Sequence, residues 1–164
     1  MKKLCIVFAM LFMAFNVQAQ ETTMSDADQE KMTRMMELMS QTIEMDVNTE
    51  LFSKVSTNAY VSEDPKAVIM AMLTPEDYET SKEKMKNDVG DKMDIKDKGE
   101  TEINGVKVLY MKGTTEAEGS DLNVEMYCMG IDDETSLMFI GMVDKTADAK
   151  YAEAIEKAKN SVIK

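Results

Sequence analysis

The pattern with the clearest capacity for chemistry is M-x-x-M-M-x-x-M, formed by Met32, Met35, Met36 and Met39. Thioethers are soft, neutral ligands that suit Cu(I) and need no deprotonation. At this spacing the four side chains fall on one side of a helix. The same spacing is what an amphipathic helix uses to bury an apolar stripe. The chain holds 18 methionines, and they recur in almost every element read below, so methionine serves here as a general apolar filler. Core packing is therefore the simplest account of this stretch. An adaptable contact face for a partner or lipid, and a Cu(I) site, are the alternatives.

The remaining reactive residues point to no particular chemistry. There is no histidine, which removes the commonest general base and the commonest metal ligand together. Cys5 sits at the start of an apolar run, where no lipoprotein cysteine stands. Cys128 lies beside Val124 and Met126, apolar surroundings that raise a thiol pKa and leave it inert. Asp132-Asp133-Glu134 supplies too few oxygens for Ca²⁺ and reads as a solvated turn. Carboxylates abound, yet no spacing picks out an acid–base pair, and a Ser–Lys dyad is equally unresolved. No catalytic, cofactor-binding or metal residue is assigned, and no cofactor is expected.

The N-terminus sets the compartment. Lys2 and Lys3 precede the uncharged run Leu4 to Phe15, and Val17-Gln18-Ala19 offers a cleavage site before Gln20. That order is the layout of a secretory signal. Its apolar part is shorter than the roughly 20 residues a spanning helix needs. Residues 1–19 are thus read as a signal peptide, cut between Ala19 and Gln20, of an exported protein, periplasmic or secreted. Once it leaves, Cys128 is the only cysteine and no internal disulfide can form. The net charge is −12, and loss of Lys2 and Lys3 makes the mature chain more acidic still. Such a surface repels nucleic acid and anionic lipid heads. No nucleic-acid partner and no stable membrane insertion after cleavage are expected; the partner, a protein or a small ligand, is not specified.

The elements that would position any site follow from periodicity and punctuation. Ser25 to about Met45 reads as an N-terminal Met-rich helix, occupying residues 20–45, with Met32, Met35, Met36, Met39 and Ile43 on its apolar face. Leu51, Phe52, Val55, Tyr60 and Val61 suggest one strand or two short ones. Glu63-Asp64-Pro65 is a turn. Ala67 to Leu73 is an unbroken apolar run, expected to be a strand buried on both faces. Thr74-Pro75-Glu76-Asp77 reads as a helix start with Thr74 as N-cap and Pro75 first; the helix should stop at Gly90. A strand from Met93, a two-residue hairpin at Asn104-Gly105, and strands Val106 to Thr115, Leu122 to Met129 and Leu137 to Val143 come next. Glu116 to Asp121 is read as a loop and Gly130 to Thr135 as a turn. Ala147, Tyr151, Ala154, Ile155, Ala158 and Val162 mark a closing helix, with Glu153 and Lys157 paired outside.

Strands that are apolar on both faces need cover on both sides. The expected fold class is α+β: a mainly antiparallel sheet flanked by helices on both faces, an α/β/α sandwich over residues 46–164, with an extra N-terminal amphipathic helix. The order of a buried strand, a helix, a hairpin at Ile103-Asn104-Gly105, two further strands and a helix ending Asn160-Ser161-Val162-Ile163 resembles the PsbP-like superfamily. That group includes the Mog-type Ran-binding proteins and periplasmic DcrB-like proteins. The resemblance covers about Asn58 to Lys164 and implies the same sandwich with a non-enzymatic accessory or binding role; it transfers no site residue. The reading is an exported, non-enzymatic binding or accessory domain. Its alternatives are a periplasmic metal-handling protein using Met32, Met35, Met36 and Met39, and an enzyme with a carboxylate or Ser–Lys site.

Overall fold

A computed structural model describes residues 25–89 and 93–164. The signal segment, with Ala19 and Gln20, and the expected helix stop at Gly90 lie outside those residues. The elements in chain order are helix α1 (Asp26–Ser40), strands β1 (Ser53–Ser56), β2 (Ala59–Glu63) and β3 (Lys66–Thr74), helix α2 (Tyr78–Asp88), strands β4 (Asp94–Ile103), β5 (Val106–Ala117), β6 (Ser120–Asp132) and β7 (Thr135–Asp144), and helix α3 (Ala149–Val162). The fold is α+β. All seven strands form one open antiparallel sheet in the order β1-β2-β3-β7-β6-β5-β4.

The central strand β7 is apolar on both faces and buried along most of its length, as its sequence requires. Alternate residues feed two separate cores. Ala67, Ile69 and Ala71 of β3 and Phe139 of β7 join Tyr151, Ala154, Ile155, Ala158 and Val162 of α3. Met70 of β3 and Ile140 and Met142 of β7 instead join Met85 of α2, along with Val89, Met93, Met111 and Cys128. Phe52 meets Tyr151 edge-on, with ring centroids 5.8 Å apart. The hairpin at Asn104-Gly105 forms as expected, with φ of 52° and 82°. Asn104 Nδ2 also donates to the carbonyls of Ile163 (2.7 Å) and Asn160 (3.1 Å). It thereby satisfies acceptors that the end of α3 leaves open.

Several expectations need correction. Thr74 is not a helix cap. It is the last residue of β3, paired with Ser136. Its hydroxyl is buried against the hydroxyls of Ser136 (2.8 Å) and Ser81 (3.2 Å). The cap is Asp77, whose carboxylate accepts from the Thr80 amide at 2.9 Å. Helix α1 stops at Ser40 instead of Met45, because Asn58 takes the Gln41 carbonyl (2.7 Å) and the Ile43 amide (2.8 Å). Past that point Ile43, Met45 and Val47 pack against the α3-side core. The supposed loop Glu116 to Asp121 is a tight hairpin, with Glu118 and Gly119 both at positive φ and Ala117 paired to Ser120. Strand β6 runs on to Asp132, so the following turn is only Asp133-Glu134. Lys157 pairs with Asp46 at 2.9 Å, across to the segment after α1.

Candidate functional site

Helix α3 lies over β7 and β3. On the same side of the sheet, next to the first half of α3, strands β4, β5 and β6 form the floor of a groove of about 390 Å³. Its lining includes Lys96, Lys112, Thr114, Asn123, Glu125 and Glu156, with Gly141, Val143, Ala152 and Ile155 completing it. The register makes this set. Lys112 stands opposite Glu125, and Thr114 opposite Asn123, on β5 and β6. Both pairs point to the α3 side, two and four residues along from Tyr110 and Tyr127 of the α3-side core.

Two glycines shape the groove. Gly141 stands opposite Glu125 on β7. A Cβ there would lie 2.4 Å from Ile155 Cγ2 and 3.3 Å from Glu125 Oε1, so only glycine lets α3 and Glu125 come this close. Gly113 stands opposite Ile95, and a Cβ on it would meet the Asp94 carbonyl oxygen at 2.4 Å. That close approach accompanies a bulge between Ile95 and Asp97. The bulge inserts Lys96 as an extra residue and places it in the groove lining.

Behind the groove lies a polar chain. Lys159, only 4% exposed, donates to Glu156 Oε2 at 2.6 Å and to the Tyr127 hydroxyl at 3.5 Å. Tyr127 in turn donates to Glu125 Oε2 at 3.0 Å. Lys159 Nζ also sits 4.7 Å from the Tyr127 ring centroid, a favourable cation–π position. Burial, aided by the Glu125 charge, pushes the Tyr127 phenol far above its usual value, so it stays a neutral donor. Burial acts to raise the Glu156 carboxyl, but the Lys159 hydrogen bond and charge outweigh it and hold the group below the usual carboxylate range. Lys112 Nζ is 3.7 Å from Glu125 Oε2, and Lys96 pairs with Asp94. The groove therefore presents ammonium groups from β4 and β5, carboxylates from β6 and α3, and an unionised hydroxyl and amide from Thr114 and Asn123. It can recognise a polar ligand over a polar floor, with apolar contact from Val143, Ala152 and Ile155.

The residues singled out from sequence lie elsewhere. Met32 and Met35 are half-buried, whereas Met36 (62% exposed) and Met39 are exposed. The buried anchor of α1 is Leu38. Lys31 pairs with Glu76, and Arg34 with Glu134 at 2.8 Å, so Glu134 of the β6–β7 turn fastens α1. Among the described residues no group of three or more Cys, Asp or Glu is placed to hold a metal ion. Cys128 is fully buried, and burial pushes its thiol up to about 11 against a partial offset from Ser136. Helix α2 carries both Ser81, whose hydroxyl meets Ser136, and Lys82. Both serines are buried, and Lys82 bonds Glu79 and Glu100, which drive its pKa far above the usual value. A base of that kind is held protonated.

Sequence reasoning missed the groove. Its trace was the isolated glycines, Gly113 and Gly141, inside strands, since such glycines mark close approach of another element.

No protein-family model matches the chain, and no curated protein matches it. Solved structures do. LpqN, involved in cell envelope biogenesis of Mycobacterium tuberculosis, superposes with a TM-score of 0.54 at 11% identity, over 70% of this chain and 78% of LpqN. PA94 from Pseudomonas aeruginosa, a protein of unknown function, gives 0.51 at 10% identity, over 74% of this chain and 84% of PA94. At such identities the likeness is one of fold alone.

Proposed function

We propose that the chain is an exported, non-enzymatic binding domain of the cell envelope whose ligand sits in the groove between α3 and strands β4–β6. The observation that carries this reading is the construction of the groove. Gly141 seats α3 beside Glu125, and the bulge opposite Gly113 places Lys96 in the same lining as Lys112 and the two glutamates. Polar and apolar groups converging on a cleft of this size are a common form of ligand site. The compartment follows from the N-terminal segment, with cleavage between Ala19 and Gln20, and agrees with the envelope role of LpqN. No helix among the described residues is long and apolar enough to cross a membrane. The two cores fed by alternate strand residues support an α/β/α layering of the PsbP-like kind, to which α1 is an addition.

The binding reading is tested by NMR screening of small peptides, sugars and lipids against the exported protein. Compounds that bind should shift the Gly113 and Gly141 amides. They should fail to do so in Ala152→Trp, which roofs the groove from an exposed position on α3. Binders that map to α1 or α2 and ignore the Trp would overturn it. Mass spectrometry of the exported chain should find it beginning at Gln20; a mature protein that keeps Met1 would refute the export reading.

A further inference from the structure

The groove lining carries charges of both signs, and Lys96 is paired with Asp94 of its own strand. The ammonium groups come from β4 and β5 (Lys96 and Lys112), and the carboxylates come from β6 and α3 (Glu125 and Glu156). We propose that the groove takes a short zwitterionic peptide, with its carboxylate held by Lys96 and Lys112 and its amine by Glu125. This rests on the groove being the binding site.

Three observations support that class of ligand. First, the pairs made by the two groove lysines are loose enough to exchange. Lys112 and Glu125 are 3.7 Å apart and Lys112 is half-exposed; Lys96 and Asp94 are both well exposed. Exposed pairs of this kind contribute little, so each charge can turn to an oppositely charged ligand end at small cost. Second, Glu125 uses Oε2 for Tyr127 and Lys112. Its side chain keeps 21% of its surface exposed where it lines the groove. The Tyr127–Lys159–Glu156 chain holds that carboxylate in place from behind. Third, Lys96 and Glu125 are two strands apart, a separation of roughly 10 Å at ordinary inter-strand spacing, which is also the length of about three extended residues. Thr114 and Asn123 beneath can serve the peptide groups. A ligand that is only anionic would leave Glu125 and Glu156 facing it, and the whole chain carries −12, so like-charge repulsion disfavours it.

The test is NMR titration of the full exported chain with trialanine, acetyl-trialanine, trialanine amide and dodecanoate. Trialanine should shift the Gly113 and Gly141 amides, and blocking either end should weaken binding at least tenfold. Lys112→Met should erase the difference between trialanine and trialanine amide. Glu125→Gln should erase the difference between trialanine and acetyl-trialanine. Each variant thereby reports on one ligand end, and thermal unfolding checks that it folds. If acetyl-trialanine or dodecanoate binds the groove as tightly as trialanine, the zwitterion proposal fails while the groove stands as a binding site. If no peptide moves the groove amides at millimolar concentration, the peptide proposal is refuted. The wider screen with Ala152→Trp then decides the groove itself.

Discussion

Replacing Gly141 by alanine should destabilise the protein through one identifiable contact. The added Cβ would lie 2.4 Å from Ile155 Cγ2, well inside the 3.5–4.0 Å that two carbons prefer. The isoleucine cannot swing away cheaply. Cγ2 is bonded directly to Cβ, and a β-branched side chain in a helix has one strongly preferred χ1. Nor is there room to move inward, because Ile155 is 2% exposed and packed in the α3-side core. Overpacking of this kind costs about 1–3 kcal/mol. Against it, alanine in a strand recovers roughly 0.5–1 kcal/mol of the entropy that glycine loses on folding. A net loss of about 1 kcal/mol, within roughly 0–2.5 kcal/mol, is expected.

The double-mutant cycle isolates the contact. Ile155→Ala alone should cost about 2–5 kcal/mol, as for any deleted core isoleucine. It also removes Cγ2, so adding Gly141→Ala in that background should cost nothing or restore some stability by filling the space. The coupling between the two changes should therefore be at least about 1 kcal/mol, beyond the ~0.3–0.5 kcal/mol within which independent sites add. The assay is urea unfolding followed by circular dichroism, with the m-value checked to be unchanged so that only stability is compared. Simple additivity would refute the reasoning, since α3 would then be seated by something other than the missing side chain at 141.

Four further outcomes follow from the same structure. Thr74→Val should cost about 1 kcal/mol, because it removes two hydrogen bonds from a buried cluster in which Ser81 and Ser136 still bond each other, and Asp77→Ala about 1 kcal/mol through loss of the cap; denaturant unfolding in which Thr74→Val is neutral would disprove the hydroxyl cluster. The Thr80 amide and then its hydroxyl hold the Asp77 carboxyl below 3.8, so its contribution to stability is present above about pH 4 and lost as pH falls through the lower folded value; NMR titration finding Asp77 at or above 3.8 would contradict this. With its thiol pushed up to about 11, Cys128 should resist thiol reagents at pH 8 until the protein is unfolded; labelling of the native protein at the rate of a free thiol would show the side chain to be accessible.

Local chemistry made some elements readable and tertiary contacts overrode others. Asn104-Gly105 was legible because both residues tolerate the positive φ the turn demands. Glu118-Gly119 adopts a comparable geometry, yet glutamate at positive φ carries no such signal. At Thr74-Pro75-Glu76-Asp77 the sequence offers two capping side chains. The choice fell to Asp77 once pairing with Ser136 drew Thr74 into the sheet. The methionine periodicity runs through Ile43 without a break, but Asn58, fifteen residues beyond Ile43, claims the backbone groups that a longer helix would need. No window around residues 40–45 contains that information.

The groove was hidden for a related reason. Lys112, Thr114, Asn123 and Glu125 are the polar halves of alternating strands, and along the chain they read as solvent-facing positions. Only the register places Lys112 beside Glu125 and Thr114 beside Asn123. Only the path of α3 gives that patch a wall. Polarity on the outer face of a sheet becomes a site when another element borders it without covering it. Here α3 lies over β7 and β3, as close as a residue without a side chain at 141 allows, and leaves β4–β6 open beside it. The helix position thus links stability to binding. A change at Gly141 or Ile155 that shifts α3 should move the wall of the groove together with Glu156, the carboxylate that α3 contributes to it.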